Sequence, residues 1–84
     1  MTHTLQYQSH KLRYYVEGEG ETLLFLHGWP NNSRLWQAQV AHLRDRFRVI
    51  TFDWLGFGQS DKPREHPYQF DEMSQILDQL IEEI

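Results

Sequence analysis

Apolar and polar positions follow three different rhythms along this chain, and each rhythm predicts a different element. Leu23-Leu24-Phe25-Leu26 is an unbroken apolar run that ends abruptly in His27-Gly28-Trp29-Pro30. A short apolar run bounded by turn residues reads as a strand buried on both faces, here Thr22 to His27. Val49-Ile50-Thr51-Phe52, ending at Asp53, repeats the pattern. Between the two runs Leu35, Trp36, Val40 and Leu43 recur near helical spacing, interspersed with Gln37, Gln39 and His42. That spacing predicts an amphipathic helix of roughly three turns. Asn31, Asn32 and Ser33 ahead of it are good N-cap residues, and Asp45-Arg46 closes it.

Strand, helix and strand within about thirty residues make a βαβ unit. Such crossovers are right-handed in about 98% of cases, so the two strands are expected to be parallel. Their carboxyl ends, His27 and Asp53, then share one rim. Ligands of open α/β sheets bind just past such ends, so chemistry is expected there.

Upstream, Leu5, Tyr7 and Leu12-Arg13-Tyr14-Tyr15-Val16 are rich in strand formers. They predict an antiparallel pair at a sheet edge, turning at Ser9-His10. Glu17-Gly18-Glu19-Gly20-Glu21 is a solvated turn. Downstream, Trp54 to Pro67 is a loop with two glycines and two prolines. Met73, Ile76, Leu77, Leu80, Ile81 and Ile84 then fall on one face of a second helix. Its acidic first turn, Asp71-Glu72, suits the positive end of the helix dipole. Its last turn, Glu82-Glu83, lacks any stop signal, which predicts a chain cut from a longer one.

Composition narrows the function classes. Eighty-four residues allow one small domain. A chain of this size buries only about 60–65% of its unfolded surface, so its core is marginal. The net charge of −4 is mild. Arg44, Arg46 and Arg48 cluster, but Asp45 and Phe47 alternate with them, as in a solvated turn. No basic stripe with a nucleic-acid-binding module is present, so no nucleic-acid partner is expected. Cysteine is absent, which excludes disulfides and Cys-based metal sites. His3, His10, His42 and His66 show no metal-ligand spacing. No apolar run is long enough to span a membrane, and Met1-Thr2-His3-Thr4 does not open a signal peptide. A cytoplasmic protein without a membrane partner is the expectation.

Two tempting nucleophiles fail on context. Gly58-Gln59-Ser60 begins like the nucleophile elbow G-x-S-x-G, but Lys62 stands at the closing position and no helix pattern follows. Asp53-Trp54 offers a carboxylate, but Leu55 intervenes before Gly56. A structural role for Asp53 through Ser60 is more economical. Asp and Ser side chains bond loop N–H groups, and Gly56 and Gly58 permit left-handed turns. Gly56-x-Gly58 lacks the third glycine of a dinucleotide fingerprint. Trp29, Trp36, Trp54 and Phe57 serve either a substrate pocket or plain packing.

His27-Gly28-Trp29-Pro30, followed by Asp53-x-x-Gly56-x-Gly58-x-Ser60-Asp61, resembles the N-terminal region of the α/β-hydrolases. The run from Leu55 to Pro63 is similar to the epoxide hydrolase, haloalkane dehalogenase and mesoderm-specific-transcript-like branch. The resemblance implies an α/β fold: a mixed sheet with an antiparallel N-terminal hairpin, a parallel βαβ unit and helices on the faces. It implies that residues 1–84 form an incomplete domain, with the first four strands and two helices of the core. It also implies hydrolysis of small esters, epoxides or similar substrates without a cofactor.

Acyl-transfer sites need donors aimed at a developing oxyanion, each worth about 2.7–4 kcal/mol. In the family one donor is a backbone N–H from the loop after the third strand. The matching position here is Trp29, with Gly28 allowing an unusual backbone angle and Pro30 rigidifying the exit. The plainer alternative is a strand-to-helix turn that merely contains Gly and Pro. The resemblance makes His27, Gly28, Trp29 and Pro30 the residues bordering substrate, with His27 supporting the loop rather than acting as a base. Asp53 ends one strand too early for the family's nucleophile. Dehalogenases usually carry Asn where Trp29 stands, which disfavours halide chemistry. In the family's strand order Thr22–His27 neighbours a strand beyond residue 84, so this edge is expected to be open to self-association.

Overall fold

The computed structural model describes residues 1–28, 31–64, 66 and 69–84. In chain order these form β1 (Thr2–Tyr7), β2 (His10–Glu17), β3 (Glu21–Leu26), a 3-10 turn (Ser33–Trp36), α1 (Gln37–Leu43), β4 (Phe47–Asp53) and α2 (Phe70–Glu83). The strands make one mixed sheet in the order β1-β2-β4-β3. β1 with β2 and β2 with β4 are antiparallel, and β3 with β4 is parallel.

Strand alternation sorts the sheet into two unlike faces. Leu5 of β1 sits opposite Leu12 of β2, and Tyr14 of β2 opposite Phe52 of β4. These residues and Ile50 bury themselves with Ile76 and Leu80 of α2 to form the core. Two tyrosines extend the contact into hydrogen bonds. The Tyr7 hydroxyl donates to Gln75 Oε1 at 3.1 Å, and the Tyr14 hydroxyl donates to Glu83 Oε2 at 2.7 Å. The opposite face carries Tyr15, Thr51 and Phe25, with Phe25 meeting Trp36 edge to face at 5.1 Å between ring centres.

Four local expectations need correction. The β1–β2 turn is Gln8-Ser9 rather than Ser9-His10, because His10 already pairs with Tyr7. Gln8 takes the positive φ, 53°, that the tight reversal demands. The apolar run of β3 is only half-buried, not covered on both faces. β3 has a hydrogen-bonded neighbour on one side alone, so the buried central strand is β4, fully buried from Val49 to Asp53.

The crossover is helical from Ser33 to Leu43 as expected, but it opens as a 3-10 turn before the seven residues of α1, and it is not the buried stripe the spacing implies. Asn32 accepts the Arg34 N–H on its side chain at 2.9 Å and the Leu35 N–H on its carbonyl at 3.2 Å, which tightens the first turn. α1 has no buried residue, and Leu35 is 46% exposed, so little apolar burial extends the helix. Finally, Gly28 does not use a left-handed φ; Gly56 and Gly58 do, at 92° and 54°.

The second helix, by contrast, buries Ile76 and Leu80 of its predicted stripe and half-buries Met73, Leu77 and Ile84, but leaves Ile81 54% exposed; it begins three residues before Met73, at Phe70. No helix among the described residues is long and apolar enough to cross a membrane.

Candidate functional site

The parallel register pairs Leu26 with Phe52, so β3 and β4 end together and His27 stands beside Asp53 and Trp54. The shared rim expected from the βαβ pattern is therefore present. His27 is 5% exposed, and both of its ring nitrogens are engaged. Nε2 accepts the backbone N–H of Trp54 at 3.1 Å. Nδ1 lies 3.0 Å from the Gly28 carbonyl oxygen. A nitrogen that accepts carries no proton, so the ring is the neutral tautomer with the proton on Nδ1, donated to Gly28. The Trp54 indole N–H closes the lock by donating to the His27 carbonyl at 3.1 Å. Phe57 meets the imidazole edge to face at 5.5 Å. His27 thus ties the ends of β3 and β4 together and has no free nitrogen with which to act as a base.

Just beyond, the Asn31 N–H donates to the Gly28 carbonyl at 2.8 Å. This bond joins the residues on either side of Trp29 and Pro30, which lie outside the described residues. Among the described residues, a Cβ on Gly28 would meet no atom within 4 Å. Gly28 therefore relieves no close contact with them and no backbone strain.

Asp53 is the electrostatic centre of the rim. It is 1% exposed. Oδ1 accepts the Ser33 N–H at 2.7 Å. Oδ2 accepts the Tyr15 hydroxyl at 2.6 Å and the Gln59 N–H at 3.1 Å. Burial pushes the Asp53 pKa up, but the bonds from Tyr15, Ser33 and Gln59 outweigh it, and the carboxyl stays below its ordinary value. Tyr15 responds oppositely. Burial, then its bond to the Asp53 carboxylate, pushes the phenol up to about 12. A carboxylate so fully occupied is a hydrogen-bond hub, not a free nucleophile.

The loop after β4 is stitched down with equal economy. The Ser60 hydroxyl donates to the Asp53 carbonyl and accepts the Arg13 N–H at 2.8 Å. Asp61 exchanges bonds with Lys11: its N–H donates to the Lys11 carbonyl at 2.9 Å, and its Oδ2 accepts the Lys11 N–H at 2.8 Å. Ser60 is 2% exposed and its oxygen is engaged at both ends, which accounts for a serine outside any elbow. Trp54 is buried against Phe52, and Trp36 lies against Phe25. Packing is the structural role observed for Trp36, and Trp54 adds its bond to His27.

A cleft of about 610 Å³ opens on the α1 side, lined by Tyr15, Glu17, Gln37, Arg44, Thr51 and Asp53 among others. Asp53 thus lines this cleft and belongs to the rim as well, while His27 and Gly28 stand outside the cleft's described lining. Among the described residues no cluster of His, Asp or Glu could hold a metal ion.

Sequence reasoning missed Tyr15, Gln59 and the two polar groups of Trp54 as parts of this rim. Tyr15 pairs with Thr51 and reaches diagonally to Asp53, a contact visible only once the β2–β4 register is set.

A family model described as the alpha/beta hydrolase fold matches residues 21–84, which include the rim and both of its strands. The chain belongs to the α/β-hydrolase family. This α/β-hydrolase chain is 36% identical over 74 residues to haloalkane dehalogenase 2 of Mycobacterium tuberculosis, covering 88% of its own length and 26% of that protein. It is 45% identical over 67 residues to the mesoderm-specific transcript protein of Mus musculus, covering 79% of itself and 20% of that relative. Its fold superposes on a bromoperoxidase from Bacillus anthracis with a TM-score of 0.91 at 32% identity, covering 99% of the chain and 31% of the bromoperoxidase. The α/β-hydrolase chain therefore spans about a quarter of the first of these relatives and less than a third of the others.

Proposed function

We propose that these residues supply the sheet rim and the oxyanion-stabilising turn of a cofactor-independent hydrolase acting on small esters, epoxides or similar substrates. The donor in this reading is the backbone N–H of Trp29, with His27, Gly28 and Pro30 bordering the substrate. One observation carries it: His27 and Ser33, on either side of the Gly28–Asn31 bond, are both tethered to the end of β4, and no described atom lies within 4 Å of a Cβ on Gly28. Preorganised donors stabilise developing charge because they need not reorient during the reaction. The family membership supports hydrolysis as the reaction class.

The nucleophile and its acid and base partners are assigned to residues outside this sequence, because Asp53, Ser60 and His27 are all buried and fully engaged. Residues 1–84 are thus read as an incomplete domain, inactive alone, that works in the cytoplasm. Trp29 in place of the dehalogenases' usual Asn favours ester or epoxide chemistry over halide release. The test is turnover of simple aryl esters and epoxides by the purified 84-residue chain, for which none is expected. Turnover that a Trp29 or Pro30 substitution abolished would overturn the assignment of the nucleophile elsewhere.

A second reading, a non-catalytic module associating through Thr22–His27, is favoured by the half-buried, one-sided β3. Exposed apolar edges pair readily with other chains. Sedimentation of the chain decides it: a clean monomer at high concentration removes this reading.

A further inference from the structure

Resting on the reading of Trp29 as the oxyanion donor, we infer that Asp53 is a positioning residue that sets where Asn31, and with it the Asn31–Gly28 bond, sits on the rim. His27, at the end of β3, and Ser33, at the start of the crossover, are anchored on adjacent residues. The His27 imidazole holds Trp54, and the Ser33 N–H is held by Asp53 Oδ1 at 2.7 Å. Asn32, between Asn31 and Ser33, is fully extended at φ −155° and ψ 179°, so the chain there has little slack. A shift of Ser33 is therefore passed on to Asn31 and to the Asn31–Gly28 bond.

Among the described residues no other buried group of the crossover holds that far end. From Ser33 to Leu43 the only buried residue is Ser33 itself. The crossover lacks the apolar stripe that would normally fix a helix to a sheet. The Phe25–Trp36 ring contact secures its middle, and the carboxylate secures its start. Asp53 is in turn kept from swinging by Tyr15 of β2 and by the Gln59 N–H on its other oxygen. Hydrogen bonds to an ionised acceptor are roughly twice as strong as neutral ones, so one carboxylate suffices for three elements. The loop after β4 and the start of the crossover thereby share one charge.

The test is residue-resolved amide hydrogen exchange on the 84-residue chain and two variants. Asp53→Asn keeps the shape and removes the charge. Ser33→Pro removes the backbone donor together with the hydroxyl that also faces Asp53 and Tyr15, at a first helical position where proline is tolerated and the preceding residue is already extended. Both variants are expected to speed exchange of the Asn31 amide about tenfold or more. The Gln59 amide is expected to lose protection in Asp53→Asn and to keep it in Ser33→Pro. Ile50 and Leu80, at the centre of the core, report global unfolding and are expected to change less than Asn31. If Asn31 keeps its protection in both variants, or all these amides speed up by one factor, Asp53 merely holds the fold and the inference is overturned. The readout is independent of catalysis. An oxyanion role for Trp29 that fails in activity assays leaves the exchange pattern standing, and the converse result removes Asp53 alone.

Discussion

Gly58 and the Asp53 carboxylate occupy the space that one side chain would need. A Cβ on Gly58 would fall 2.3 Å from Asp53 Cγ and 2.4 Å from each carboxylate oxygen. Gly58 also holds a left-handed φ of 54°. Gly58→Ala is therefore expected to destabilise the chain by at least about 1–2 kcal/mol from backbone handedness alone. Displacement of Asp53 from Ser33 and Tyr15 adds to that cost. Urea unfolding checks it: the midpoint drops while the slope is unchanged. A midpoint equal to that of the parent chain would mean that the carboxylate and Gly58 are not in contact.

His27→Ala removes the acceptor for a buried backbone N–H. Leaving the Trp54 N–H unpaired is expected to cost about 1–3 kcal/mol, before any loss from the cavity itself. The near-ultraviolet dichroism of Trp54 should weaken in the folded baseline, because its indole bond to the His27 carbonyl loosens too. If stability falls while the Trp54 signal is untouched, the lock between the strand ends is not the source of the loss.

Acid and alkaline limits have opposite signs. The Asp53 pKa is depressed in the fold, so its contribution is present above the ordinary carboxylate pKa of about 3.9 and is lost as pH falls through the depressed value. Tyr14 and Tyr15 are raised, each to about 12. For Tyr14 the causes are burial and then its bond to Glu83. Their contribution is complete below about pH 10 and is lost as pH rises from about 10 towards about 12. Tyr15→Phe is expected to flatten the alkaline fall in stability, and Asp53→Asn the acid one. Chemical unfolding across pH, with tyrosinate absorbance as the second probe, separates the two.

Gln8 sits in the left-handed region without being glycine. For an L-residue that costs about 1–2 kcal/mol, while glycine adds about 0.5–1 kcal/mol of backbone entropy to the unfolded chain. Gln8→Gly is thus expected to be mildly stabilising, by up to about 1 kcal/mol, and to leave the Tyr7–His10 pairing intact. A loss of stability in thermal unfolding would show that the Gln8 side chain contributes more than its backbone strain costs.

How much of this was legible beforehand differs by residue. The apolar stripe of α2 and the two runs ending at His27 and Asp53 are local patterns, and they place those elements within a few residues. The extent of the crossover helix was legible, and its burial was not. Four apolar residues at helical spacing imply a buried stripe, but Leu35 turned outward and the carboxylate of Asp53, rather than a core, became the anchor. His27 was legible as a support and not as a base. Its partner was not, because the Trp54 backbone N–H has no side-chain signature. The Gly28 angle was misassigned for a related reason: a glycine read from sequence signals either freedom of φ or closeness of a neighbour, and only coordinates say which.

The sequence by itself determined which stretches extend and which coil, the parallel sense of the crossover, and the rim on which the ends of β3 and β4 meet. Those follow from side-chain periodicity and chain handedness, which act over a few residues at a time. Only the tertiary structure decided that one carboxylate gathers Tyr15, Ser33 and Gln59 from three elements. Tyr15 is 38 positions from Asp53 and Ser33 is 20. Bonds across such distances depend on strand register and on a glycine that leaves room, and neither is written in any local pattern.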